Sequence, residues 1–222
     1  LTIPTLSLVI AGNIQLAGTT MGRIYRSCDF GATWVQVFDA TKQVFALTSH
    51  ASELFAGLQE NGVLRSTDGG MQWAPANTGL GNTGIIAIAA LDTSLVCITS
   101  QYKVFRSSNN GIVWDDRTGA ISTSFTSTAF ATSNAFLIGT SFDLYGTIYR
   151  STDGGIAWAS VLSAGGVYSL GGRGQNAFAG IQSLGPYRVY RSTNGGALWS
   201  VLSSNLFARA FTILDSVILA GN

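Results

Sequence analysis

The sequence predicts an all-β chain of the β-propeller class, assembled from four-stranded antiparallel blades. Three observations carry that expectation. A segment reading IYRSCDFGATW recurs four more times, as VLRSTDGGMQW, VFRSSNNGIVW, IYRSTDGGIAW and VYRSTNGGALW. Its tryptophans, Trp34, Trp73, Trp114, Trp158 and Trp199, are all the tryptophans of the chain and lie 39, 41, 44 and 41 residues apart. Between them the apolar runs are 4 to 8 residues long, rich in β-branched and aromatic residues, and bounded by Gly, Asn, Asp or Ser, with no helical periodicity. A period of about forty residues marks a repeat architecture, and four short strands in that length make one blade.

Each repeat supplies strands A to D, counted outward from the axis. Strand A is QVFALTS (43–49) or GIIAIAAL (84–91), with the small and apolar residues that an inner strand needs. Strand B follows as ELFAGLQ (53–59) or SLVCITS (94–100), strand C as GVLRS or KVFRS, and strand D starts at the tryptophan. The opening LTIPTLSLVIAGN lacks the basic flank of a signal peptide and reads as a first strand. A–B pairs number six, from LSLVIAGNIQLAG (6–18) to FARAFTILDSVILAGN (207–222), whereas C–D pairs number five. The expectation is five complete blades plus a surplus half-blade, a six-position ring being favoured and a five-bladed ring the alternative. Residues 1–222 then form a single propeller domain, and the Leu start leaves room for a longer parent chain. Unpaired strands of the half-blade offer a route to self-association.

The turn between strands C and D reads S-x-D/N-x-G-x-x-W. Asp29, Asp68 and Asp153, or Asn109 and Asn194, are expected to accept hydrogen bonds from backbone N–H groups one or two residues on. Gly31, Gly70, Gly111, Gly155 and Gly196 suit a positive φ. Ser27, Ser66, Ser107, Ser151 and Ser192 bond locally, and each tryptophan ring is expected to bury between blades. An amide serves such a turn as well as a carboxylate but cannot act as a base, so the motif reads as structural. The arginine before each box (Arg26, Arg65, Arg106, Arg150, Arg191) is expected to lay its stem on apolar surface and bond turn carbonyls.

These copies resemble the Asp-box, or BNR, repeat found in sialidases, some oligosaccharide hydrolases, sortilin-type receptors and propeller-type photosystem II assembly factors. The resemblance covers nearly the whole chain and implies a propeller fold with the boxes on turns away from the active-site face. A sialidase resemblance implies three carboxylate-gripping arginines, a Tyr–Glu nucleophile pair and an acidic acid/base. Here Thr2 stands where the first of those arginines belongs, and the only glutamates are Glu53 and Glu60. The sialidase catalytic set is therefore not expected.

Composition narrows the function classes. Charged residues make up 10% of the chain against a usual value of about 25%, and the formal net charge is +1. That excludes a basic nucleic-acid stripe, and no apolar run approaches the roughly 18 residues of a membrane span. A Lys-poor, Ser/Thr-rich surface suits a secreted or extracellular protein. Two cysteines far apart in the repeat frame and one histidine supply neither a disulfide framework nor a metal site, and no cofactor is implied. His50 reads as a solvated A–B turn residue. Acids outside the boxes fall mostly in turns, and Asp115 and Asp116 are adjacent on a strand and point to opposite faces, so paired-carboxylate hydrolysis finds no obvious pair.

In a propeller the D–A and B–C loops share one face and vary while the blades hold still. Here they carry Tyr102, Lys103, Arg117, Asp143, Tyr145, Tyr187 and Arg188, the candidate binding residues. Such a set fits a protein or glycan partner. The leading expectation is a non-enzymatic interaction or structural module; a glycan-binding or glycoside-hydrolase-like protein and an assembly factor are the alternatives.

Overall fold

A computed structural model describes residues 4–81, 83–119, 121, 126–141, 145–183, 185–214 and 217–221. Its contacts divide the chain into two compact units, Leu1–Gln101 with Phe105–Asp116, and Tyr102–Val104 with Arg117–Asn222.

The first unit holds three four-stranded meanders. They are β1 (Thr5–Ala11), β2 (Ile14–Thr19), β3 (Arg23–Ser27) and β4 (Val35–Asp39); β5 (Val44–His50), β6 (Glu53–Leu58), β7 (Val63–Ser66) and β8 (Ala74–Pro75); and β9 (Ile85–Leu91), β10 (Ser94–Thr99), β11 (Val104–Ser107) and β12 (Asp115–Asp116), with β11 starting at the unit boundary. In the second unit two more meanders comprise β13 (Thr126–Ala131), β14 (Phe136–Thr140), β15 (Thr147–Ser151) and β16 (Ala159–Ser163), then β17 (Gly166–Arg173), β18 (Asn176–Gln182), β19 (Arg188–Ser192) and β20 (Ser200–Ser204). A two-stranded sheet of β21 (Ala210–Leu214) and β22 (Val217–Gly221) follows. Each strand pairs with its chain neighbour, and the four-stranded sheets match the A-to-D grammar of the repeat.

Burial peaks in the second strand of each four-stranded sheet. All residues of β10 and β14 are buried, whereas β4, β16 and β20 are largely exposed. A strand flanked within its sheet and packed on both faces needs a continuous apolar run, which LVCI and FLIG provide. Where sheets pack closely within a unit, the second strand carries a glycine, as β2, β6 and β14 do. A Cβ on Gly18 would lie 2.5 Å from Val44 Cγ1, one on Gly57 2.6 Å from Ile85 Cγ2, and one on Gly139 2.5 Å from Val167 Cγ1. The glycine thus admits the first apolar residue of the next inner strand.

Two expectations need correction. His50 is only 9% exposed. As the last residue of β5 it turns its ring towards the β9–β10 turn, where Nε2 donates to the Asp92 carbonyl. Nor do all five tryptophans bury: Trp73 and Trp114 do, at 8% and 2% exposure, while Trp34, Trp158 and Trp199 are half-buried. Trp114 owes its burial to a strap that leaves β8 at Pro75. Its amide donates to the Thr78 carbonyl at 2.8 Å and its Nε1 to the Ala76 carbonyl at 2.9 Å. The sequence-level reading treated the boxes as equivalent, and the strap makes them unequal. On the first sheet, Leu6, Leu8 and Ile10 of β1 stay exposed.

Gly57→Val is expected to force the second and third sheets apart and cost about 1–3 kcal/mol, as overpacking does. Denaturant unfolding checks it, and an unchanged midpoint would show that the close approach does not matter.

Candidate functional site

The two ends of the sheets have different chemistry. At one end lie the box turns. In each, the serine hydroxyl donates to Oδ1 of the residue two on, at 2.7–2.9 Å, and accepts the amide of the glycine four on, at 2.9–3.0 Å. The five serines are 1–2% exposed. Oδ1 in turn accepts backbone amides three and four residues on, not one or two: Thr33 for Asp29, Met71 and Gln72 for Asp68, and Ile156 and Ala157 for Asp153. The asparagines do the same, Asn109 for Val113 and Asn194 for Leu198, both at 2.9 Å. The turn is a full loop of the chain rather than a tight Asx turn, so the acceptor reaches further. The five glycines have φ between +74° and +88°, where a side chain would strain the backbone.

Those bonds hold the carboxyls below their usual range. Asp29 is lowered to about 2, first by the Thr33 hydroxyl and amide and then by Ser27. Asp68 is lowered by the Gln72 amide against some burial. For Asp153 burial pulls upward most strongly, but the Ala157, Ser151 and Ile156 bonds together outweigh it. Carboxyls held this way are poor proton carriers near neutral pH. The preceding arginines divide. Arg26 and Arg150 donate through Nε to the Gly69 and Gly195 carbonyls, each at 2.8 Å, in the next box. Arg65 instead pairs with Glu53 through both Nε and Nη2, Arg106 reaches Ser94 Oγ, and Arg191 reaches Asn176 Oδ1.

At the other end, in the second unit, lie the loops that carry the candidate binding residues. Tyr145 is 66% and Tyr187 36% exposed. Lys103 is exposed, Tyr102, Arg117 and Arg188 are half-buried, and Asp143 lies outside the described residues. Tyr187 stacks obliquely on Phe207 with ring centroids 4.4 Å apart, Tyr168 meets Phe207 edge-on at 6.0 Å, and the Arg209 guanidinium lies 5.0 Å from the Phe207 centroid. Tyr145 lines a separate cleft of about 450 Å³ with Gly146, Ser163, Gly165 and Ser183.

Phe207, Arg209 and Tyr168 were missed from sequence. The first two sit in the loop after β20, whose FAR stretch (207–209) was assigned to the surplus A–B pair. Tyr168 lies within β17, but a register shift between Val167 and Ser169 turns it out of the ladder. A second unforeseen feature is a cleft of about 420 Å³ in the first unit, bounded by Arg65, Asp68, Trp73, Asn77 and Ile112, beside the strap that follows Pro75.

Charge divides as sharply as shape. The first unit has Arg23, Arg26, Lys42, Arg65 and Arg106 against Asp29, Asp39, Glu53, Glu60, Asp68, Asp92, Asp115 and Asp116, a formal net charge of −3. The second has Lys103, Arg117, Arg150, Arg173, Arg188, Arg191 and Arg209 against Asp143, Asp153 and Asp215, a net +4. Among the described residues of the second unit, Asp153 is the only carboxylate, and its box holds it. Among the described residues no three His, Cys, Asp or Glu side chains cluster as a metal site, Cys28 and Cys97 are free thiols, and no helix is long and apolar enough to cross a membrane.

The sequence profile of the BNR-Asp box repeat matches residues 24–37. No curated protein matches the chain by sequence. Among solved structures, a GH74 xyloglucanase from Xanthomonas campestris superposes with a TM-score of 0.70 at 15% identity, over 90% of this chain and 38% of that one. YCF48 bound to D1 peptide gives 0.63 at 12% identity, over 89% and 66%, and YCF48 from Cyanidioschyzon merolae 0.64 at 14%, over 94% and 76%. The chain thus spans well under half of the xyloglucanase. At these identities the likeness is one of fold: the chain is an Asp-box β-propeller.

Replacing Asn194 by alanine removes the acceptor of the Leu198 amide and the Ser192 hydroxyl and is expected to cost about 1 kcal/mol. Asn194→Asp should cost little, and equal losses in both variants would show that the side-chain oxygen is not what closes the turn. The lowered carboxyls also fix a pH dependence. Their contribution is present above the unfolded pKa near 4 and is lost as pH falls towards about 2. Asp29→Asn is therefore expected to flatten the melting temperature between those values; an unchanged slope would exclude Asp29 as its source.

Proposed function

We propose that the chain is a non-enzymatic, exported binding module that takes a protein or glycan partner on the loop face of its second unit. The observation that supports this most is the aromatic surface of exposed Tyr145 and Tyr187 with half-buried Phe207, near Arg188 and Arg209, on a face where no described carboxylate stands. Aromatic faces with arginine at their edges give large contact area and a charged anchor at low entropic cost. Tyr102, Lys103 and Arg117 are further candidates, carried by the loops of the third blade. Solved propellers of similar fold include one bound to a peptide and one named as a glycan hydrolase, which keeps both partner classes open. The exported setting rests on the Lys-poor composition, and recovery of the protein from the cytosol of its source cells would overturn it.

A second reading, a glycan-active protein, draws on the Tyr145 cleft and on the GH74 fold likeness. It requires Asp143 to act on a bound sugar, and hydrolysis needs a second acid, whereas the one described carboxylate of the second unit, Asp153, is held in its box.

One experiment separates the two. The chain is screened by interferometry against acidic, neutral and basic peptides and against xyloglucan and sialylated oligosaccharides, with reducing-end release measured in parallel. Binding of a panel member, weakened at least about tenfold by Tyr145→Ala or Tyr187→Ala, with no release, is the expected result. Release that is lost in Asp143→Asn would overturn the non-enzymatic reading.

A further inference from the structure

Every box turn of the first unit holds a large apolar side chain out in solvent: Phe30 is 83% exposed, Met71 53% and Ile112 55%. None of them takes part in closing its box, which is done by the serine, the Asp or Asn and backbone amides. Phe30 even occupies a left-handed backbone position, φ +58°, which a non-glycine residue adopts at a cost. The amides of these tips are already bonded inward, Thr33 to Asp29 and Met71 and Gln72 to Asp68. A tip can therefore lose its water without leaving those groups unpaired. At this end of the three sheets Asp29, Glu53, Asp68, Asp92 and Asp115 outnumber Arg26, Arg65 and Arg106, so the rim is at once apolar and net anionic.

The loop face of the second unit has the opposite character. Leu206 and Tyr187 are 40% and 36% exposed there, Arg209 covers one side of Phe207, and Arg188 has no carboxylate partner among the described residues. We infer that the box rim of the first unit docks on the aromatic–arginine loop face of the second unit in another copy of this chain, a head-to-tail contact between identical molecules. The inference rests on the reading of that face as a binding surface. Charge decides the pairing: rim against rim sets Asp against Asp, face against face sets Arg against Arg, and only rim against face brings opposite signs together. Ile156 and Leu198, the box tips of the second unit, are as exposed, but at that end Arg150, Arg173 and Arg191 outnumber Asp153, its one described carboxylate. They lack the anionic half of the match. A pairing of two different patches leaves one of each unfilled, so association can continue beyond the dimer.

Sedimentation of the full chain tests this, at about 0.1 M and about 1 M salt, between which the Debye length falls from about 10 Å to about 3 Å. Concentration-dependent association at the lower salt, weakened at least about tenfold at the higher, is expected. A rim variant, Phe30→Asn with Met71→Gln, keeps a residue that accepts the left-handed backbone; a face variant, Arg188→Glu with Arg209→Glu, inverts the charge. Each alone should sediment as a monomer, and an equimolar mixture should form a one-to-one dimer, because one intact rim then meets one intact face. Melting curves control for folding, and Ile112→Gln with Tyr187→Ser serve as a second pair. A wild-type chain monomeric throughout, a mixture that stays monomeric, or oligomers that survive both variants and dissolve in Leu8→Asp would each overturn the inference. A monomeric chain whose panel ligand still depends on Tyr145 and Tyr187 removes the inference and leaves the functional reading. A mixture that dimerises while the panel yields no ligand does the reverse.

Discussion

The bond set around each box serine is the constraint on which the rest of the structure depends. One buried hydroxyl donates to an sp² oxygen two residues on and accepts a glycine amide four residues on. That oxygen then accepts amides from the far side of the turn. Two side-chain atoms thereby close an eight-residue turn whose backbone would otherwise need external partners for its N–H groups. Charge is not required, as Asn109 and Asn194 show by making the same contacts. Where the acceptor is an aspartate, its lone pairs are spent on the backbone, and chemistry must be sought elsewhere.

The boxes also fasten one blade to the next, but not uniformly. Arg26 and Arg150 reach the following box, and where Arg65 is held by Glu53 the connection passes instead through the strap that receives Trp114. Further inward, Ser7 Oγ donates to the Val44 carbonyl and Ser169 Oγ to the Ala208 carbonyl. These bonds join an inner strand to the start of its neighbour, alongside the glycine that lets the two approach. Within each unit, polar bonds between blades supplement close apolar packing. A low charge content is compatible with that design, since few ion pairs are needed to set the spacing.

Much of the fold was legible because its cause is local. Short apolar runs, the turn chemistry of S-x-D/N-x-G and a constant period each report structure within a few residues, and together they specify sheets in order. What escaped depended on neighbours. His50 looks like a turn residue until the β9–β10 turn is placed beside it. Of five similar tryptophans Trp114 is the most buried, because the chain leaving β8 at Pro75 forms the strap that receives it. At the loop face the aromatic residues of the B–C loops could be picked from the repeat frame. Phe207 and Arg209 could not, since their loop was read as part of a strand pair. Tyr168 was hidden by a bulge, which periodicity alone does not reveal.

That bulge recurs, and its position explains how such a scaffold separates stability from recognition. The inner strands β1, β5, β9 and β17 each carry a register shift near their first residues, leaving Leu6, Phe45, Ile86 and Tyr168 as the extra residue. An extra residue in one strand bends it and re-aims a side chain, here at the end of the sheet away from the boxes. Identity at this position is free to vary, from leucine to tyrosine, because neither the ladder nor a box bond depends on it. In the fifth blade the tyrosine supports Phe207, which in turn carries Tyr187 and Arg209. The staples at one end hold the strands in register, and the bulges at the other end let the exposed surface change residue by residue without disturbing them.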